Sequence, residues 1–319
     1  MGNTTGIHRQ GYRTRLLRQR SAPVFFCLFF LVMHSGFAFK AGARELVDQT
    51  GRTIAVPEDP RRVVALAPSI TEIVFALDQE GRLVGATRFS DYPAAARKLT
   101  KVGSYVRLDL ERITALAPDL CIAVKDGNPI EIVRRLEDLG IPVFAVDPRD
   151  LDSVMTAIDQ IGRLLNAGDR ADALVRDMED RIDRIHRRAQ AASRRPGVFF
   201  QIGIQPIVAV GTDTFIHKLI ETAGGRNLTA GEVPYPRLSR EQVLALAPEV
   251  ILITSMAREE TFVRMKAEWA RWTDLPAVRQ GRIHLVDSDL FDRPGPRMVM
   301  GLELLFELIH PDLARKAPN

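Results

Sequence analysis

The segment Asp287-Ser-Asp-Leu-Phe-Asp-Arg-Pro-Gly-Pro-Arg297 brings three carboxylates and two guanidinium groups into eleven residues. Such a mixture can hold the polar groups of a ligand through charge-assisted hydrogen bonds. Pro294 and Pro296 also signal the start of a helix, so the segment reads as a strand-to-helix loop in either case. Ligands of open α/β sheets bind at the carboxyl ends of the strands, where this loop and the loop carrying Tyr235 should fall. The common catalytic constellations are absent: no Walker-type phosphate loop follows a strand, no Gly-x-Gly-x-x-Gly opens a helix, and no nucleophile elbow appears. Beyond residue 43, His186, His217, His284 and His310 are scattered without short ligand spacing, so no metal site is expected. His310, beside Pro311 after a helix, reads as a cap on that helix's C-terminus. Cys121, within Leu120-Cys-Ile-Ala-Val124, reads as a small apolar core residue rather than a reactive thiol.

A second set of residues comes from an internal repeat. At an offset of 130, Tyr105-Val-Arg-Leu-Asp-Leu-Glu-Arg-Ile-Thr-Ala-Leu-Ala-Pro-Asp-Leu lies over Tyr235-Pro-Arg-Leu-Ser-Arg-Glu-Gln-Val-Leu-Ala-Leu-Ala-Pro-Glu-Val. A short helix that stops at a proline before a buried strand explains the shared Ala-Leu-Ala-Pro. It does not explain Tyr105 with Tyr235, or Glu111 with Glu241. Each tyrosine precedes its helix in a polar or Gly/Pro-flanked loop, where a large ring with a polar tip can face solvent or a ligand. Each glutamate falls in a first helical turn, a position the helix dipole favours by a few tenths to about 1 kcal/mol. As a matched pair on related lobes, the two also form acidic knobs able to meet two basic pockets on a partner.

The elements that must position these residues follow from the pattern of apolar runs. From Arg62 onward, short apolar strands alternate with amphipathic helices, the pattern of parallel sheets covered by helices. The first lobe has strands near 63–67, 83–86, 120–124 and 143–146 and helices near 110–117 and 130–139. Ser69 is placed to cap a helix from Ile70, with Glu72 completing a capping box. Between 151 and 192 the pattern is helix only, with one buried face and a break at Asn166-Ala167-Gly168. The second piece, about 20 residues, would reach roughly 30 Å and could join two lobes as a strut. Strands near 198–202, 207–210, 250–254 and 283–286, and helices near 215–223, 240–247, 259–270 and 298–309, make a second lobe. Gly224-Gly225 reads as a helix C-terminal cap. The expected fold is α/β, with two Rossmann-like lobes of parallel sheet joined by a long helix. The expected divisions are residues 1–43, 44–150, 151–195 and 196–319.

Residues 1–43 carry six basic and no acidic side chains, and without them the net charge falls from +4 to −2. The body is therefore mildly acidic, without the basic face that nucleic-acid binding needs. The Arg-rich start, the apolar run Val24 to Met33 and the small residues ending at Ala43 read as an export signal. An uncleaved anchor is the competing reading, since residues 22–39 reach the minimum spanning length of about 18, but His34, Ser35 and Gly36 interrupt them. Cys27, preceded by Phe25 and Phe26, does not look like a lipid-attachment site. Cys121 is then alone, so no internal disulfide forms and core packing must carry the fold.

Five motifs together carry a family resemblance: Ser90-Asp-Tyr-Pro93, Leu110-Glu-Arg-Ile113, Gln201-Ile-Gly-Ile204, Val233-Pro-Tyr-Pro236 with Ser239-Arg-Glu-Gln-Val-Leu244, and Ser288-Asp-Leu-Phe-Asp-Arg293 with Pro296-Arg297. Over about residues 62–309 the chain resembles the periplasmic binding proteins of iron-siderophore, haem and cobalamin ABC importers, most of all the cobalamin-binding branch. The resemblance implies a monomeric periplasmic protein, not an enzyme, without a cofactor of its own. Its ligand would be cobalamin, and its partners an inner-membrane ABC permease with ATPase subunits. It implies ligand contacts at Phe89, Tyr105, Tyr235, Asp289, Leu290, Phe291, Asp292 and Arg293, and permease contacts at Glu111 and Glu241. The chain departs from that branch, which has tryptophan at Tyr105, Tyr235 and Leu290, tyrosine at Phe89, an aromatic at Lys125 and a disulfide missing here. Lys125, Arg107 and Arg237 would suit an anionic siderophore or haem propionates, which keeps those ligands as the alternative. A chelatase-like enzyme of similar fold is the third reading.

Overall fold

The computed structural model describes residues 42–254 and 259–315. The expected export signal therefore lies almost wholly outside the described residues. No described helix is long and apolar enough to cross a membrane.

Lobe one begins with an antiparallel hairpin, β1 (Ala43–Val47) and β2 (Thr53–Pro57). It continues through β3 (Val63–Ala65), α1 (Pro68–Ala76), β4 (Leu83–Ala86), β5 (Thr100–Lys101), the small hairpin β6 (Gly103–Ser104) and β7 (Arg107–Leu108), α2 (Leu110–Ala115), β8 (Leu120–Val124), α3 (Ile130–Asp138) and β9 (Val143–Val146). The sheet order is β5-β4-β3-β8-β9, all parallel. Every residue of β3, β8 and β9 is buried. Continuous apolar runs are what a parallel sheet covered on both faces requires. The chain order reverses between β3 and β8, which opens a crevice at their carboxyl ends.

Two helices follow, α4 (Leu151–Leu164) and α5 (Gly168–Gln190). Asn166 turns the chain between them with a φ of +58°, a conformation asparagine tolerates. At 23 residues α5 spans roughly 35 Å, as the strut reading requires.

Lobe two comprises β10 (Gly197–Gly203), β11 (Ile207–Ala209), α6 (Phe215–Thr222), β12 (Arg226–Asn227), β13 (Arg237–Leu238), α7 (Arg240–Leu246), β14 (Val250–Ile253), α8 (Glu259–Ala270), α9 (Pro276–Arg279), β15 (Ile283–Leu285), α10 (Met298–Ile309) and α11 (Pro311–Ala314). Strands β10, β12, β14 and β15 pair in parallel, and β11 and β13 extend the sheet as an antiparallel edge. Gly224, at φ +79°, ends α6 as expected, and the Gly225 amide closes the cap on the Ile220 carbonyl at 2.9 Å.

One apolar core runs through all three parts. It includes Ile70, Ile122 and Phe144 of lobe one, Ile158, Ile161, Met178 and Ile185 of the linking helices, and Phe200, Leu302 and Phe306 of lobe two. Separate clusters cover the outer faces of the two sheets. A shared close-packed core resists wide hinge motion, because opening it would leave voids. Cys121 lies in the lobe-one cluster, and burial pushes its thiol up to about 12, as expected of a structural cysteine.

The β1–β2 hairpin is held by Asp48, whose buried carboxylate accepts from the Thr50 and Arg52 amides, the Arg52 guanidinium and the Ala145 amide of β9. Asp48→Ala strands those donors and should cost about 3 kcal/mol of stability. A thermal melt against the wild-type protein checks this, and an unchanged midpoint would contradict it.

Candidate functional site

The two copies of the repeat have matching local structure. Asp109 caps α2 by accepting from the Arg112 amide at 3.0 Å. Ser239 caps α7, with Gln242 bonding back to the Ser239 amide at 2.7 Å. Ala117 and Ala247 take positive φ values of +43° and +44° just before Pro118 and Pro248. From Glu111 to Leu120 and from Glu241 to Val250 the succession of exposed and buried residues is the same. Asp119 and Glu249 then do equivalent work: Asp119 accepts from the Arg61 and Arg62 amides just before β3, and Glu249 from the Gly197 amide at the start of β10. Both Glu111 and Glu241 are exposed in first turns. The Glu241 carboxyl is held below its ordinary value by its own amide and the Ser239 hydroxyl.

Between the lobes lies a cleft of about 1240 Å³. In lobe one its walls come from the carboxyl ends of β3, β4, β8 and β9; in lobe two they come from the loops before α6, before β13 and after β15. Each lobe supplies two aromatic rings: Phe89 and Tyr105 face Phe215 and Tyr235. The Tyr105 loop is fixed by buried Asn128, which donates to the Leu66 and Tyr105 carbonyls at 2.9 and 2.8 Å and accepts from the Val124 amide at 2.8 Å. Gly127 at φ +133° leaves room for the ring, since a Cβ there would sit 2.9 Å from Tyr105 Cδ2. The Tyr235 loop is fastened by the Gly211 amide to the Pro234 carbonyl at 2.6 Å and the Ala209 amide to the Pro236 carbonyl at 3.0 Å. Burial raises the Tyr235 phenol, and the charges of Asp292 and of Asp126 across the cleft add to this.

Six of the eight residues expected at the ligand line this cleft: Phe89, Tyr105, Tyr235, Asp289, Asp292 and Arg293. Leu290 and Phe291 do not. The 3-10 turn Ser288–Leu290, capped by Asp287, turns its polar residues outward and its apolar ones into lobe two. Phe291 is fully buried, packed edge-on against Phe200 with centroids 5.3 Å apart, so it is a core residue. The three expected cations also separate. Arg107 lines the cleft, but Lys125 is drawn to Asp147 at 2.9 Å, and Arg237 sits on β13 outside it. Arg88, Arg149, Lys218 and Phe215 line it without having been singled out by any sequence signal. Five basic side chains face six aspartates there. The cleft is therefore close to charge-balanced and is not an anion trap. Among the described residues, no group of His, Cys, Asp and Glu is placed to hold a metal ion.

Glu72 does not complete a capping box. Helix α1 starts earlier, at Pro68, whose missing amide suits the first helical position. The buried Glu72 carboxylate instead meets two lobe-two arginines, Arg293 and Arg297, from the segment after β15. Arg297 Nε and Nη2 donate to it at 2.8 and 2.6 Å, and Arg293 Nη1 at 3.2 Å. One bidentate guanidinium fork and a second guanidinium outcompete one backbone amide for the carboxylate. Arg293 also pairs with Asp91 at 2.8 Å and Asp289 at 2.9 Å, and Arg297 lies 3.9 Å from the centre of the Tyr92 ring. The segments Ser90-Asp-Tyr-Pro93 and Asp292-Arg293 to Arg297 are thus the two halves of one ionic bridge between lobes.

Burial pushes the Asp292 carboxyl up from 3.8 to about 6, with the nearby charges of Asp289 and Asp287 contributing. Its surface opens onto the cleft, while protein surrounds it on the other sides. Because the folded state holds this proton more tightly than the unfolded chain, its contribution to stability is full below about pH 4 and is lost as pH rises through about 6. Asp292→Asn should therefore gain in melting temperature relative to wild type between pH 4 and 7, and parallel profiles would contradict the shift.

A profile described as "Periplasmic binding protein" matches residues 63–290. The chain belongs to that family. Within the family, the uncharacterized ABC transporter substrate-binding lipoprotein YvrC of Bacillus subtilis is 30% identical over 271 residues, covering 83% of this chain and 85% of its own length. The vitamin B12-binding protein of Pectobacterium atrosepticum is 31% identical over 251 residues, covering 76% of this chain and 86% of its own length. A periplasmic haem-binding protein of Pseudomonas aeruginosa matches in structure with a TM-score of 0.72 at 29% identity, over 79% of this chain and 93% of its own length. The family consists of binding proteins. Members named for vitamin B12 and for haem both align with most of this chain, so kinship alone does not select between those ligands.

Proposed function

We propose that this chain is the periplasmic solute-binding component of an ABC importer, that it binds cobalamin in the interlobe cleft, and that it delivers it unchanged to an inner-membrane permease. The observation that carries this reading is the cleft itself: about 1240 Å³, walled by two aromatic rings from each lobe. That volume exceeds the roughly 300–1,000 Å³ of ordinary small-ligand pockets and calls for a large ligand. Rings on both walls suit a flat macrocycle. The near balance of acidic and basic side chains suits a periphery of neutral amides, from whose N–H groups Asp289 and Asp292 can accept hydrogen bonds. The vitamin B12-binding relative supports the same choice.

A haem or ferric siderophore is the second reading. Arg88, Arg107 and Lys218 line the cleft without an ion pair among the described residues, and they could meet ligand carboxylates. Calorimetric titration with cyanocobalamin, haem and a ferric siderophore separates the cases. Heat with cyanocobalamin at one ligand per chain supports the first reading. Heat only with haem or the siderophore replaces it with the second, and no heat with any of them overturns both.

A further inference from the structure

Lobe contacts of two kinds hold the cleft. The apolar core fixes how much volume the parts enclose, but packed helices can still shear past one another by small amounts. A guanidinium–carboxylate fork does not, because two parallel hydrogen bonds fix both distance and plane. Glu72 makes such a fork with Arg297 through both carboxylate oxygens, and shares one of them with Arg293. Glu72 stands on α1 of lobe one, one turn beyond the cleft-lining Ser69, and lines no part of the cleft itself. Its side chain is 3% exposed and each arginine is 12% exposed, so water and salt screen the contact little. The same seam is close elsewhere: a Cβ at Gly295 would lie 3.6 Å from the Ser69 carbonyl oxygen. On the lobe-one side the partners are themselves braced. Thr71 Oγ1 donates to Ser90 Oγ at 2.9 Å, and Lys101 Nζ donates to the Ser90 carbonyl at 2.8 Å, which holds the segment carrying Asp91 and Tyr92.

We propose that Glu72 is the positioning residue of the cleft: by clamping Arg297 and Arg293 of lobe two onto α1, it sets the angle between the lobes before any ligand arrives. The angle it sets is also the span between Glu111 and Glu241, which ride on α2 and α7. Glu72 thus fits the protein to its ligand and to a two-pocket partner without touching either. Leaving a buried charge unpaired destabilises as well as loosens, so the test must separate the two effects.

Nitroxide labels at Ala115→Cys and Ala245→Cys do so. These exposed positions match across the repeat, Cys121 is buried, and Cys27→Ser removes the other thiol. Pulsed dipolar spectroscopy without ligand, on samples whose circular dichroism is native, should give one narrow distance peak for the otherwise wild-type protein. Glu72→Gln should lose that narrow peak. Tyr92→Leu, a half-exposed position that releases one face of Arg297, should broaden it less. A peak as narrow as wild type in Tyr92→Leu, and in Glu72→Gln if it folds, overturns the proposal. Because no ligand is present, this outcome is independent of which chelate the cleft takes.

Discussion

Reversing Glu111→Arg and Glu241→Arg together should leave ligand affinity unchanged and abolish uptake. Both side chains are exposed and neither lines the cleft, so the fold and the ligand contacts should survive. What should change is the proposed encounter with the permease, where charge complementarity would govern register and on-rate. Losing two close charge pairs at about 2 kcal/mol each corresponds to a fall in transport on the order of 10³-fold. Uptake of radiolabelled ligand in cells lacking the native binding protein measures it, beside calorimetry on the purified variant. Lost affinity with normal uptake would sink the docking role. Each single reversal should fall between wild type and the pair, since the two knobs act through matching positions of one repeat.

Truncating the paired rings should do the opposite. Tyr105→Ala with Tyr235→Ala removes one aromatic wall from each lobe. Each ring should be worth about 1–2 kcal/mol of binding, so the double variant should bind roughly 100-fold more weakly. Phenylalanine at both positions should keep most of the affinity, because it keeps the ring face. The Tyr105 loop is held by Asn128 and the Tyr235 loop by backbone bonds, so neither loop depends on its own ring. Calorimetry checks both variants, and a change below about twofold in the double alanine variant would remove the tyrosines from the ligand site.

The fold was legible wherever the information was local. Strand β9 runs over 143–146 as its apolar run predicts, and the α4–α5 break falls at Asn166 because a polar, turn-tolerant residue interrupts two amphipathic faces. The repeat was legible for the same reason: two copies of one local structure carry one local pattern. Lobe two's antiparallel edge was not, since β11 and β13 are three and two residues long and their direction depends on what they pair with. The hairpin β1–β2 was missed because its alternation is short and half-exposed, with its anchor Asp48 reading as an ordinary turn acid.

The site divides along the same line. The aspartates after β15 were identifiable as a polar loop at a strand's carboxyl end, but the loop's twist, which buries Phe291 in the core and turns Asp292 to the cleft, is not written in its composition. Glu72 shows the limit most clearly. Its spacing from Ser69 fits a capping box, and only the arrangement of two lobes reveals two arginines more than 200 residues away as its partners. Arg88, Lys218 and Phe215 entered the cleft for the same reason, through tertiary placement alone.

The central claim is that one large, flat chelate sits between the lobes. A crystallographic difference map of the protein grown with cyanocobalamin, or with haem or a ferric siderophore if one of those is bound instead, tests it most directly. The account predicts one ligand per chain in the interlobe cleft, its faces against the rings of Tyr105 and Tyr235 and its edge near Asp289 and Asp292. A bound ligand on an outer surface, with the cleft filled only by solvent, would contradict it.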